Sequence, residues 1–370
     1  MQLRFRLPGH RVWPLAVVLL AGACGDGQPL APAPAPAEAL PVLKVLECTA
    51  NVVSATLSCS RGAPQGGPNL TIIGGQNDLL TLASSNVSAS NGIFQFDVTV
   101  QNLMPEAMGT WNGVVADTAG IRVFFYRGPS SATGVVTVDN EDGAGVFTGP
   151  AQPFFRYSQI LHQNDVSSAR TWRLAYGAGV QTFTFRVYVA AAVQPLLVIN
   201  EVMVNPSGTM YDLEGDWFEV YNAGRLAVQM EGMLVADSAA SGRQAYHRIS
   251  APLEVPPGGY VVLGNSTSFN ANGGVPVDYA YGSAMRFPAS LDALKISRLT
   301  SVAGDTVTVD RTQYAQASVS AQDGVSRELK NPGLDNANMD GSNWAAALVT
   351  AVFGSGGRGT PKAQNSTYTP

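Results

Sequence analysis

The residues whose types and spacing could do chemistry are mostly acids and amides set two apart. Asp212, Glu214 and Asp216 alternate in "YDLEGDW", and Asn336, Asn338 and Asp340 alternate in "NANMDG" ahead of Gly341. Oxygen ligands at alternate loop positions are how a calcium loop begins to surround its ion. The second run imitates the start of such a loop, but position 347, where the closing bidentate acid belongs, is Ala. It therefore reads as a hydrogen-bonded Asn/Asp turn leading into Trp344, with a weak calcium site as the alternative. The first run reads as a solvated acidic loop, with the same alternative. Asp139, Glu141 and Asp142, crowded before Gly143, read as an acidic hairpin turn, with the start of a calcium loop as the alternative. His162 and His247 belong to no HExxH or similar zinc pattern, and no Ser sits in a G-x-S-x-G elbow. The expectation is a protein that is not an enzyme and needs no cofactor.

The N-terminus indicates where these residues work. Arg4, Arg6 and Arg11 precede the apolar stretch "WPLAVVLLAGA", which is shorter than the roughly 20 apolar residues of a spanning helix. It runs into Cys24 through Ala21, Gly22 and Ala23, and "LAGAC" resembles a bacterial lipobox, with Ala21 where Leu is more usual. That resemblance implies a lipoprotein signal peptide over 1–23 and an acylated Cys24. Gly25 stands where Asp favours retention at the inner membrane, so the expected address is the outer membrane or cell surface of a bacterial envelope. Residues 24–42 alternate Ala and Pro and read as an extended tether. With Cys24 lipidated, Cys48 and Cys59 remain, and an even pair in an exported chain reads as a disulfide across a hairpin.

The elements that must position these groups are strands. Of 370 residues 39 are Gly and 23 Pro, which disfavours long helices, and only 13% are charged. A net charge of -5 gives no electrostatic reason to bind nucleic acid. "GIFQFDVTVQN" sets Phe94, Phe96, Val98 and Val100 against Gln95, Asp97, Thr99 and Gln101. "QTFTFRVYVA" sets Phe183, Phe185, Val187 and Val189 against Thr182, Thr184, Arg186 and Tyr188. This alternation marks half-buried strands. The expected fold class is all-β, with two immunoglobulin-like antiparallel β-sandwich domains over 43–194 and 195–370.

The second of these carries a family resemblance. "INEVMVNP", "GDWFEVYNAG", "EGMLVAD", "VPPGGYVVLG", "LDALKISRL", "GVSRELKNPG" and "GTPKAQN" occur in the order of a lamin-tail domain. Met233 replaces the Trp usual after that Gly, and 265–290 is longer and more irregular than a minimal version. The resemblance implies an immunoglobulin-like sandwich in which Glu201, Trp217 and Glu219 are structural. The acids would tie down backbone N–H groups or an Arg. Period two puts Trp217, Glu219 and Tyr221 on one face of a strand and Phe218 and Val220 on the other, one face packed in the sandwich and one covered by "INEV" or a loop.

The expected function is binding, adhesion or scaffolding by a lipid-anchored surface protein, with an extracellular protein or polysaccharide as partner. The alternative is a carbohydrate-binding or accessory module of an extracellular hydrolase system, using aromatics such as Trp111, Tyr126, Trp172, Tyr279 and Tyr281.

Overall fold

Alternating side chains become alternating burial. The computed structural model describes residues 45–62, 72–73, 76–204, 206, 215–238, 244–287, 291–300, 304–315 and 323–370. Cys24, the leader and the tether lie outside them, as do Asp212 and Glu214. The described residues belong to one compact unit, 36–370. No helix among them is long and apolar enough to cross a membrane.

The first eleven strands are β1 (Val45–Asn51), β2 (Thr56–Gly62), β3 (Ile72–Ile73), β4 (Leu80–Ser90), β5 (Ile93–Asn102), β6 (Ile121–Ser130), β7 (Val136–Val138), β8 (Gly143–Gly145), β9 (Gln152–Tyr157), β10 (Arg170–Tyr176) and β11 (Thr182–Ala190). They form a sheet in the order β2-β1-β11-β6-β9-β8, with β3 also on β11, and a second in the order β4-β5-β10-β7. The two sheets sandwich an aromatic core. Trp172 of β10 stacks on Phe155 of β9, ring centroids 4.6 Å apart and 8° from parallel, and Phe96 of β5 meets Phe185 of β11 at 6.2 Å. Cys48 and Cys59 face each other directly across the β1–β2 hairpin and form a disulfide. One alternation is overridden. Tyr188, expected on the polar face of β11, is buried there with Phe124 and Phe147, so both faces of this strand are covered.

The remaining strands are β12 (Leu197–Met203), β13 (Trp217–Asn222), β14 (Val228–Gln229), β15 (Leu234–Ser238), β16 (Gln244–Arg248), β17 (Glu254–Val255), β18 (Tyr260–Gly264), β19 (Tyr279–Ala280), β20 (Asp292–Leu299), β21 (Thr306–Tyr314), β22 (Arg327–Leu329), β23 (Trp344–Ala346), β24 (Val352–Phe353) and β25 (Gly357–Arg358). The main sheets run β19-β18-β13-β12-β22-β23 and β16-β15-β20-β21. Phe218 and Val220 of β13 enter the core between them with Val235, Leu294 and Ile296. The opposite face of β13 carries Trp217, which packs on Met203, Val262 and Val275 and meets Phe353 edge-on at 5.8 Å. "INEV" does not cover that face. It is β12, the hydrogen-bonded neighbour of β13, and the cover comes from the C-terminal segment.

No strand is shared between the two sandwiches among the described residues, yet they dock through matching loops. Asn102 ends β5 and Asn222 ends β13. Each accepts the N–H two residues on and donates its amide to the carbonyl four residues on. From the first loop, buried Glu106 accepts the N–H groups of Arg225 and Leu226 in the second. Leu226 packs into the first core. A Cβ at position 224 would stand 2.2 Å from Glu106 Oε1, so this close approach requires Gly224. Arg225 pairs with Asp78 at 3.1 Å, and the Arg298 guanidinium lies 4.0 Å from the centre of the Trp111 ring.

Candidate functional site

Three glutamates lie in a row across three adjacent strands. A bulge at Asn200 shifts the register by one residue, so that Glu201 of β12 sits opposite both Glu219 of β13 and Glu328 of β22. All three are 0% exposed. Like charges directly opposite destabilise a sheet, and a buried carboxylate without donors costs several kcal/mol, so such a row must be satisfied from outside the sheet.

The donors come mainly from residues 359–367. Glu201 accepts the Thr360 N–H at 2.9 Å, with the hydroxyls of Ser326 and Thr360. Glu219 accepts the Lys362 N–H at 2.5 Å and the Asn200 amide at 3.0 Å. Glu328 accepts the Thr367 N–H at 2.9 Å and the Ser366 hydroxyl at 2.8 Å. Asn365 closes the network, donating to the carbonyls of Asn200 and Leu329. Lys362 contributes only its backbone, its ammonium going to Asp278. A Cβ at 359 would approach Glu201 Oε1 to 2.5 Å, so glycine is needed where the segment crosses the row.

Neutral donors do not offset the burial. Burial, reinforced by the charge of Glu219, holds the Glu201 carboxyl well above the usual carboxylate range against the bonds from Ser326 and Thr360. Burial likewise pushes Glu219 up to about 8, opposed by Asn200 and the Lys362 N–H and assisted by Glu328 and Asp278. A raised carboxyl is often an acid–base catalyst, but catalysis requires reach to a substrate. Here the carboxyls face a strap of the same chain. The arrangement is a latch for the C-terminus.

Beside the latch opens a cleft of about 250 Å³ lined by Asn200, Tyr221, Tyr260, Gln364, Asn365 and Tyr368, with Asn331, Pro332 and Gly333 at a turn. Its lining residues include no carboxylate, imidazole, amine or thiol.

The residues proposed from sequence are dispersed. Asp216 is a correction: it is 3% exposed rather than solvated, and its carboxylate accepts the Phe287 N–H while its carbonyl accepts the Tyr281 hydroxyl. The core closes over this position because Tyr281 and Phe287 pack against Phe218. Asn336 is turned inward, its amide donating to Asp310 and to the Ile199 carbonyl. Asn338 accepts the Asp340 N–H, and Asp340 accepts the Ala315 N–H. Asp139 and Asp142 pair with Arg173 and Arg170. Among the described residues no group of three or more His, Cys, Asp or Glu is placed to hold a metal ion. His162 lies beside Asp165, and His247 bonds the Tyr279 hydroxyl at 2.7 Å.

The five aromatics suggested for sugar stacking form no platform. Trp172 and Tyr281 are buried in the two cores, Tyr126 packs on Tyr188, Trp111 lies under Arg298, and Tyr279 serves His247. Sequence reasoning does not single out Glu106, Glu328, Asn200, Asn365, Tyr260 or Tyr368. Tyr221 had a signal, since it follows Trp217 and Glu219 at period two. Glu328 lay in "SRELKN", but its place in the row depends on strand register. The chain matches no protein-family model and no curated protein.

Proposed function

We propose that this protein is a non-enzymatic binding protein of a bacterial cell envelope, held to the membrane through an acylated Cys24 and the Ala/Pro tether. One observation carries the non-enzymatic part. The perturbed carboxyls are closed under residues 359–367, while the neighbouring open cleft is lined without a carboxylate, imidazole, amine or thiol. Chemistry and access are separated, as suits holding a ligand.

The second sandwich is proposed to be a lamin-tail-like module. Supporting this, "INEV", "DWFEV", "SREL" and "GTPKAQN", distant in the chain, supply one connected network through Asn200, Glu201, Glu219, Ser326, Glu328, Thr360 and Asn365. The docked first sandwich would set the module off the membrane as a rigid spacer.

Cys24→Ala in the full chain should release the protein from membranes or leave it unprocessed. Unchanged partitioning with intact export would overturn the anchor. Purified protein should turn over no glycoside, ester or peptide, and turnover abolished by Glu201→Gln or Glu219→Gln would overturn the non-enzymatic reading.

A further inference from the structure

We propose that the cleft formed by Tyr221, Tyr260 and Tyr368 binds a neutral saccharide, seating one sugar ring against the tyrosines with its hydroxyls toward Asn200 and Gln364. This rests on the binding-protein reading above and names its ligand class. Tyr221 and Tyr260 are direct cross-strand partners on β13 and β18, with ring centroids 4.9 Å apart and planes 40° apart. Tyr368 comes from the strap, so the wall is completed only when the latch is closed. The volume, about 250 Å³, is at the small end for ligand clefts (~300–1,000 Å³) and suits one ring better than a long buried ligand.

The polar groups narrow the ligand further. Asn200 is 1% exposed and lines the cleft, and its side-chain carbonyl oxygen has no hydrogen-bond partner. A buried acceptor of this kind is costly until a donor reaches it. Its amide N–H groups are already spent on Glu219 and Asn365, which holds the orientation. Gln364 is exposed at the cleft, whereas Asn331 is occupied with Thr369 and Gly333 and shapes the rim. Burial and the neighbouring Tyr221 keep the Tyr260 phenol protonated, pushed up to about 12, so it remains a donor at any physiological pH.

No charged residue lines the cleft, which argues against a phosphate, sulfate or carboxylate ligand. Tyrosine cages also hold quaternary ammonium groups, and tyrosine-lined grooves hold proline-rich segments. A quaternary ammonium head group has no donor for the Asn200 oxygen, and a proline-rich segment lacks an N–H at each proline. A sugar brings hydroxyls that donate and accept, and an apolar ring face that packs on tyrosine.

The test uses the purified full-length protein in detergent, titrated with cellohexaose, chitohexaose, xylohexaose and maltohexaose at millimolar concentration by calorimetry and ligand-observed NMR. At least one should bind, and Tyr368→Ala should weaken it about tenfold or more while leaving the melting temperature within a few degrees, since Tyr368 is exposed. Tyr260→Phe, which keeps the ring and removes the donor, should weaken binding by a smaller factor. Binding by none of the four overturns the proposal. So does binding that is indifferent to both variants, or saturation by choline or by an Ala-Pro repeat peptide instead. Hydrolysis of a bound hexasaccharide would leave the site standing and overturn the non-enzymatic reading. Absence of sugar binding leaves that reading to the Cys24→Ala and turnover experiments.

Discussion

The two sandwiches share an architecture and bury opposite chemistries. In the first, the central strands are covered on both faces by aromatic rings: Trp172, Phe155, Phe96 and Phe185 inside, and Tyr188, Phe124 and Phe147 outside. In the second, the inner face is again apolar, but the outer face of the central strands carries, beside the Trp217 cluster, three glutamates under a strap. Apolar burial is non-directional and accepts any cover that excludes water. Buried carboxylates accept only a cover that brings donors to fixed points. The second sandwich therefore specifies where its C-terminus lies, to the residue, and that placement builds the third wall of the tyrosine cleft.

Perturbations can break this contrast, and the largest effect is expected in the aromatic core. Trp172→Ala removes the 1% exposed ring at the meeting of four aromatics and should cost about 3–5 kcal/mol in urea denaturation. The strap, followed by hydrogen exchange over 359–369, should keep its protection as long as the protein stays folded. A loss below about 1 kcal/mol would show that the core tolerates a void there.

A pH titration addresses the polar side. The Glu219 carboxyl is pushed from 4.5 up to about 8 in the fold, so its protonated form favours the folded state. The contribution is fully present below about pH 4.5 and is lost as pH rises toward 8, on the order of a few kcal/mol. Stability of the parent protein should fall across that window, and Glu219→Gln, neutral throughout, should flatten the slope. An unchanged slope in the variant would place the titration elsewhere. Weakened protection of 359–369 as pH rises would show that the strap loosens with it.

The smallest effect sharpens the comparison at the junction. Arg225→Ala removes an ion pair with Asp78 whose side chains are 45% and 29% exposed, and should cost less than about 1 kcal/mol. The two sandwiches should still melt in one transition, because Glu106 continues to hold the backbone at 225 and 226. Two separated calorimetric transitions would mean that the arginine, not the buried glutamate, couples them.

Much of this was legible before any fold was seen. Period two placed Phe94, Phe96, Val98 and Val100 inside, and set Phe218 and Val220 on the face opposite Trp217 and Glu219, because a strand's side chains alternate whatever lies beside it; which of those two faces is the core face came from the fold. An even pair of cysteines flanking a short turn sufficed for the Cys48–Cys59 bond. Local pattern misled where tertiary cover arrives from far along the chain. Tyr188 looked polar-facing until Phe124 and Phe147 packed over it, and Asp216 looked solvated until Tyr281 and Phe287 closed above it. The five aromatics first suggested for stacking failed because an aromatic residue type says nothing about whether its face is open.

The sequence by itself determined the strands, their apolar faces and the hairpin that the disulfide closes, since each depends on neighbours a few residues away. Only the tertiary structure decided that Glu201, Glu219 and Glu328 stand in one row, that residues 359–367 satisfy them and that Tyr221, Tyr260 and Tyr368 face one cleft. Those meetings join positions up to 159 residues apart, as between Glu201 and Thr360. They rest on the register of β13, β12 and β22, where a slip of one residue would turn a glutamate from the strap into the apolar core.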